Sequence, residues 1–256
     1  MLLLSAIIAA AAIQGTTQDD FKWSGRLAAG KTIEIRGING TIAARGTGGG
    51  EVRVSASKHA RRSDVASVEI RVEEHADGVT ICAVYPQDRD QTGCQERSRS
   101  RRNGDSHENN DVNVDFTVEV PAGVEFAGRS VNGDVSASGL AADARISTVN
   151  GDVEVATRGL AEASTVNGNV TASMGRADWT GTMEFHTVNG TITVSLPADA
   201  DTEVRASTVN GDISTDFPLT VQGRFGPRRM QGTIGRGGRS LSLETVNGSI
   251  EIDRSS

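Results

Sequence analysis

The residues best able to do chemistry in this chain recur at a near-constant interval. Carboxylates follow an Asn-Gly pair at Asp134, Asp152 and Asp212, within the phrases SVNGDVSA, STVNGDVEV and STVNGDIST. A column of carboxylates could hold calcium, as aspartate-bearing repeats do in other β-helices. The same position, however, carries Asn169, Thr191, Thr233 and Ser249 in the other copies. A column broken this often reads as a turn marker. Gly supplies positive φ at low cost, Asn tolerates the left-handed region, and Asp, Asn or Thr can bond nearby backbone.

Other reactive sets are weaker. Asp105, His107, Glu108 and Asp111 imitate a calcium loop but lack its central Gly and terminal Glu. Histidines 59, 75, 107 and 186 form no H-x-H or H-E-x-x-H, and there is no G-x-S-x-G elbow. Asp152, Glu154, Arg145 and Arg158 could gather on one face, as a polysaccharide lyase or hydrolase on a β-helix requires, but outward polarity explains them equally. Two basic clusters remain: Arg97, Arg99, Arg101 and Arg102, and then Arg224, Arg228, Arg229, Arg236 and Arg239. They suit contact with an anion, or protection of a sheet edge. Nothing calls for a cofactor.

The elements that must position these residues are strands. Turn signals fall at Asn39-Gly40, Asn132-Gly133, Asn150-Gly151, Asn167-Gly168, Asn189-Gly190, Asn210-Gly211 and Asn247-Gly248. Gln231-Gly232, in MQGTI, reads as a degenerate copy. Seven units of 16 to 22 residues then fill 126–253. Before each Asn, apolar or Thr residues recur at every second position (Thr148, Ile146, Ala144; Thr187, Phe185, Met183). Beyond the Gly they return at Val153 and Val155, or Ile192 and Val194. Period 2 on both sides of a tight corner predicts half-buried strands. A second, looser corner closes each unit, for example TRGLAE or PADAD.

One such unit buries too little to offset the entropy of ordering it, so copies must support one another. Two arrangements fit: an antiparallel meander of hairpins, or an all-β solenoid, single-stranded and β-helix-like, built from these strand-turn-strand units. Near-identical corners favour the solenoid, which stacks Thr on Thr and Asn on Asn. With 4% aromatic residues and 30 glycines, the composition suits such a thin core.

The remaining segments set boundaries. Residues 1–18 read as a signal peptide: an apolar run from Leu2 to Ile13, too short to span a bilayer, precedes small polar residues. Residues 19–125 form an N-terminal β region interrupted by a polar loop at about 87–111, expected to be mobile. Residues 126–256 carry the tandem repeats. Phe21 and Trp23 are placed to cap the first coil. Cys82 and Cys94, the two cysteines, read as a disulfide in an exported protein, with free thiols as the alternative. A net charge of −7 argues against nucleic acid as a partner.

The pattern W-S-G-R-L, then G-K-T-I-E-I-R-G-I-N-G-T-I, then I-C-A-V-Y-P, N-V-D-F-T-V-E-V-P-A-G-V and tandem V-N-G-D-V resembles the bacterial DUF4097 adhesin-like family over roughly 20–253. That resemblance implies an exported repetitive β-solenoid with no established catalytic residues. The expected function is therefore non-enzymatic contact with an unknown cell-surface, glycan or protein ligand. Its place would be the periplasm, the outer surface or the medium. A carbohydrate-active enzyme is the alternative, and end-to-end self-association a third possibility. No transmembrane segment is expected in the mature chain.

Overall fold

A computed structural model of the chain describes residues 18–86, 94, 110–218, 220–221 and 228–255. The signal-peptide reading and most of the polar insertion lie outside these residues. Apart from one 3-10 turn, Val65–Ser67, the regular structure within them is strand.

The chain begins with β1 (Gln18–Gly25), then β2 (Thr32–Arg36) and β3 (Ile42–Thr47) across the Asn39 corner. β4 (Val52–His59), β5 (Glu69–His75) and β6 (Gly78–Val84) precede the insertion, and β7 (Asn113–Pro121) follows it. Pairs across corners come next: β8 (Glu125–Arg129) with β9 (Val135–Leu140), and β10 (Ala144–Ser147) with β11 (Val153–Thr157). β12 (Ala161–Ser164) with β13 (Val170–Met174), and β14 (Thr182–His186) with β15 (Ile192–Leu196), continue the series. The chain ends with β16 (Thr202–Ser207) and β17 (Ile213–Thr215), β18 (Thr220–Val221) and β19 (Arg229–Ile234), and finally β20 (Ser240–Glu244) and β21 (Ile250–Arg254).

Each coil gives its strand before the corner to one sheet and its strand after the corner to the other. The result is a β-solenoid of two facing sheets. The first sheet runs β1-β4-β7-β3-β9-β11-β13-β15-β21-β17 and the second β18-β19-β16-β20-β14-β12-β10-β8-β2-β6-β5. Inward side chains form one core extending from Ile33 to Ile252, shared by the N-terminal region and the repeats. Register alternates bulk across coils: Ala163 lies beside Phe185, Gly128 beside Ile146 and Ala206 beside Leu243. Small residues therefore make room for large ones in the adjacent layer, and the core needs few aromatics.

The coils do not stack in sequence order. Corner bridges link Asn39, Asn132, Asn150, Asn167 and Asn189 in turn, but Asn189 then pairs with Asn247, and Asn247 with Asn210. The last coil is inserted between its two predecessors, with β21 paired to β15 on one side and β17 on the other. Gln231 and Gly232 do not form a corner. They lie inside β19, antiparallel to β16, where Gln231 faces Arg205 and Gly232 faces Val204. The chain reverses after β17 to make this cover, so the VNG-like spelling there has no coil of its own. Nor do Phe21 and Trp23 cap the Asn39 coil directly. They sit on β1, separated from β3 by β4 and β7, and pack on the end of the core.

Three hydrogen-bond columns run along the corners. On the inside, the buried Thr two places before the Asn donates to the Gly carbonyl of the neighbouring coil: Thr165 to Gly151 at 3.0 Å, Thr187 to Gly168 at 2.9 Å, Thr208 to Gly248 at 2.8 Å. On the outside, each Asn amide donates to the next: Asn132 to Asn39, Asn150 to Asn132, Asn167 to Asn150, Asn189 to Asn167, Asn247 to Asn189 and Asn210 to Asn247, at 2.7–2.9 Å. One place beyond the Gly, a side-chain oxygen caps the next backbone N–H: Asp134 accepts from Asp152, Asp152 from Asn169, and Asn169 from Thr191. Ser249 likewise accepts from Asp212 at 3.4 Å, so Asp, Asn and Ser interchange here because acceptor geometry, not charge, is what the position needs.

Glycine is required by proximity. A Cβ built on Gly168, Gly190 or Gly248 would stand 1.9–2.0 Å from the carbonyl oxygen of the adjacent coil's Gly. Positive φ contributes at most of these corners, but Gly190 lies outside the left-handed region and is just as crowded. Gly139 is the opposite case, with φ +61° and open space around it. Gly190→Ala should therefore cost about 3 kcal/mol or more through overpacking, and Gly139→Ala about 1 kcal/mol through backbone strain. Equal losses in denaturant melts would mean that φ, and not contact between coils, selects glycine.

Beyond the Asn39 coil, β6 and β7 make one further coil, parallel to β2 and β3. Tyr85 and Val112 stand beside the ends of these two strands, where its corner would be. Tyr85 closes the gap, buried, its hydroxyl donating to the Val112 carbonyl at 2.8 Å. Burial pushes its pKa up to about 12. Because the folded value is raised, the contribution to stability is present below about pH 10 and lost as pH rises through about 12. The chain has one tyrosine, so phenolate absorbance near 295 nm reports it alone. Its midpoint should lie near pH 12 in native protein and near 10 in denaturant. A native midpoint near 10 would place the ring in water.

Candidate functional site

Most side chains singled out in the sequence serve the scaffold. The seven Asn-Gly corners form the columns described above. Cys82 and Cys94 are joined as a disulfide (S–S 2.08 Å). With Val84 they make a small cluster separate from the main core. Arg36 donates to the Cys94 carbonyl at 2.6 Å and to Glu34 at 2.9 Å, which anchors this part of the insertion against β2. Asp111, proposed as part of an acidic set, accepts from the backbone of Arg61, Arg62 and Ser63. Asp105, His107 and Glu108 lie outside the described residues, as do Arg97, Arg99, Arg101 and Arg102. Among the described residues, no three His, Cys, Asp or Glu side chains converge on a common point.

The four residues considered for carbohydrate chemistry are dispersed. Glu154 faces outward from the first sheet and Arg145 from the second, on opposite sides of the core. Arg145 is paired with Glu162 at 2.9 Å, and the contact holds the Glu162 carboxyl below its usual range. Asp152 is committed to its corner, and Arg158 lies in a loose corner.

The C-terminal arginines do not form one patch either. Arg224 lies outside the described residues. Arg228 and Arg229 stand at the corner end of β19, with Arg229 opposite Ser207. Arg236 and Arg239 lie past the other end, beyond Ile234. Arg236 is held by Asp201 at 2.6 Å, and Arg239 donates to the Trp179 carbonyl at 3.1 Å. β19 lies between the two pairs and keeps them apart.

Sequence reasoning missed a charged group on the outer face of the first sheet. There the register aligns Ser24, Arg53, Glu119 and Arg45 in one row, and Lys22, Ser55, Thr117 and Ala43 in the next. These rows surround a depression of about 440 Å³, within the range of small-ligand sites, about 300–1,000 Å³. Glu119 lies between two guanidinium groups: one oxygen accepts from Arg45, the other from Arg53 at 3.4 Å. The Arg45 hydrogen bond, reinforced by Arg53, draws the Glu119 carboxyl below its ordinary range, so it stays ionised in mild acid. The alternation in FKWS, EVRVSAS, DFTVEV and IAAR announces each outward residue. What no local pattern reveals is that β1, β4, β7 and β3 lie side by side in that order.

The rest of this face is flat and hydroxyl-rich, continuing through Ser136, Thr171, Ser173, Thr193 and Ser195 to Glu251 and Asp253. Along the corner edge, Val131, Val149, Val166 and Val209 are 38–55% exposed, one to each coil.

The Toastrack DUF4097 family model matches residues 48–253. Among solved structures, a "putative cell adhesion protein" from Clostridium sporogenes is 12% identical with a TM-score of 0.48, covering 92% of this chain and 99% of that one. A "putative adhesin" from Bacteroides fragilis is 11% identical at TM-score 0.32, covering 92% and 96%. A "putative lipid binding protein" from Parabacteroides distasonis is 12% identical at TM-score 0.25, covering 94% and 98%. No curated protein matches the chain.

The Asp111 clamp gives a pH signature. Hydrogen bonds from Ser63, then from the Arg61 and Arg62 backbone, lower its carboxyl to about 2. Since the folded value is depressed, the stabilisation is present above about pH 4 and lost as pH falls through about 2. Wild type should melt above Asp111→Asn at pH 7, with the difference closing between pH 4 and 2. A gap that does not change with pH would deny the clamp its charge.

Proposed function

This chain belongs to the Toastrack DUF4097 family, and on that premise we propose that it is an exported, non-enzymatic binding protein that meets a surface through the outward polar face of its first sheet. The observation that carries the reading is the face itself. Ten strands in fixed register present hydroxyls and charges on a rigid scaffold, with one shallow depression at one end. Such a face suits many weak polar contacts whose sum depends on simultaneous engagement.

Export is supported by the apolar run from Leu2 to Ile13 and by the Cys82–Cys94 disulfide, which persists in oxidising compartments. No helix among the described residues is long and apolar enough to cross a membrane. The ligand is read as a cell-surface glycan or protein presented in many copies.

The test is an array of immobilised glycans and whole cells probed with purified residues 19–256, together with a panel of neutral and acidic polysaccharides assayed for released product. Retention on some surfaces without product release is the expected result. Product release from any member would establish the carbohydrate-active alternative, and absence of retention on every surface would reject the binding reading.

A further inference from the structure

We propose that the depression bounded by Lys22, Arg45, Arg53 and Glu119 binds the carboxylate or phosphate of an acidic saccharide. This deepens the surface-binding reading above and rests on it.

Positive charge exceeds negative at this depression. Elsewhere on the outer surface, several arginines meet a carboxylate of their own, Arg145 with Glu162, Arg236 with Asp201 and Arg26 with Glu51, and Arg176 meets two, Asp143 and Asp178. Here two guanidinium groups share one carboxylate, in a chain whose net charge is −7. Glu34 also meets two arginines, Arg36 and Arg129, but that group is closed off. Arg36 is spent on the Cys94 carbonyl and only 27% of its side chain is exposed. Arg45 and Arg53 are 65% and 67% exposed, while Glu119 beneath them is 23% exposed. The carboxylate acts as a floor, and the cations stand at the rim.

Geometry selects the kind of anion. A guanidinium has five N–H donors, so contact with Glu119 leaves each arginine able to grip a second oxyanion, often in bidentate fashion. Arg45 and Arg53 stand on either side of Glu119 in the strand register, so their neighbours are about 4.8 Å away and the whole span is about 10 Å. Both guanidinium groups turn in to the Glu119 carboxylate, so their remaining donors stand close enough to share one oxyanion. Ser24, Ser55 and Thr117 supply hydroxyls in the same grid, suited to a polyhydroxylated ligand. Trp23 and Val54 complete the lining and offer apolar surface to the carbon-bound face of a sugar ring. All these residues lie on paired strands, so the site is held ready before the ligand arrives.

Isothermal titration calorimetry with polygalacturonate, phosphomannan and neutral dextran separates the sources of the anion. At least one acidic polymer should bind and dextran should not. Arg45→Gln/Arg53→Gln should weaken that binding by at least about tenfold, the scale of one lost charge-assisted contact. Arg145→Gln, on the opposite face, should leave it within about twofold. Arg53→Gln alone, which keeps Glu119 paired with Arg45, should lose several-fold and serves if the double variant melts early. No binding of either acidic polymer by wild type, equal binding of dextran, or an equal loss in Arg145→Gln would overturn the site. The double variant is also placed on the cell and glycan array. Undiminished retention there overturns this site while leaving the surface-binding reading intact, and a wild type retained nowhere overturns that reading itself.

Discussion

Everything in this solenoid depends on how closely the backbones of adjacent coils approach at one corner. The Gly carbonyl of one coil points at the place where a side chain of the next would begin, about 2 Å from any Cβ. It is met from within by a buried Thr hydroxyl and bordered outside by the asparagine ladder. None of these contacts exists within a single coil. The Thr, the Asn amide and the residue after the Gly all bond to a neighbour, so the phrase T-V-N-G has energetic meaning only when repeated. A unit too small to bury its own core is thereby made to depend on the units above and below it.

A stack of this kind must also end. At one end the coil of β6 and β7 replaces its corner with Tyr85 and Val112, and antiparallel strands β4 and β1, and β5 in the other sheet, run beyond it. At the other end the chain lays down β16 and β17 one position too far, covers β16 with β19, and returns to fill the vacancy with β20 and β21. The C-terminal strand is therefore interior to the first sheet. The edge left beyond it is β17, three residues long. Short edge strands are an established way of discouraging strand addition. The N-terminal cover has a second consequence: interleaving β1, β4 and β7 beside β3 brings Lys22, Arg45, Arg53 and Glu119 together.

Much of the architecture was legible in the residues. Period-2 alternation around each Asn-Gly announced two strands per unit, and the near-constant spacing announced stacking. The failures have physical causes. Gln231-Gly232 resembled a corner because MQGTI shares its alternation with VNGTI, yet alternation is equally satisfied in an antiparallel strand. Sequence order suggested stacking order, but identical corners such as Asn189, Asn210 and Asn247 are interchangeable partners, so local pattern cannot say which two are adjacent. Glycine was read through positive φ, whereas the larger constraint is a carbonyl supplied by another coil. The basic group at Arg45 and Arg53 escaped for a related reason, since strands separated by the insertion come together only through register. Charge clusters dense in sequence, such as the C-terminal arginines, proved dispersed by the same geometry.

In this geometry the asparagines of the repeated phrase serve one another rather than a ligand. A double-mutant cycle on Asn150→Ala and Asn167→Ala measures this directly, with Asn132→Ala and Asn210→Ala as a distant control pair. Asn167 donates to Asn150 at 2.8 Å, whereas Asn132 and Asn210 are separated by four intervening corners of the stack. The adjacent pair should lose about 1 kcal/mol less than the sum of its single losses, because one shared hydrogen bond is counted twice, and the distant pair should be additive. Additive losses for Asn150 and Asn167 would contradict the ladder and return the repeated asparagines to the surface as candidates for binding.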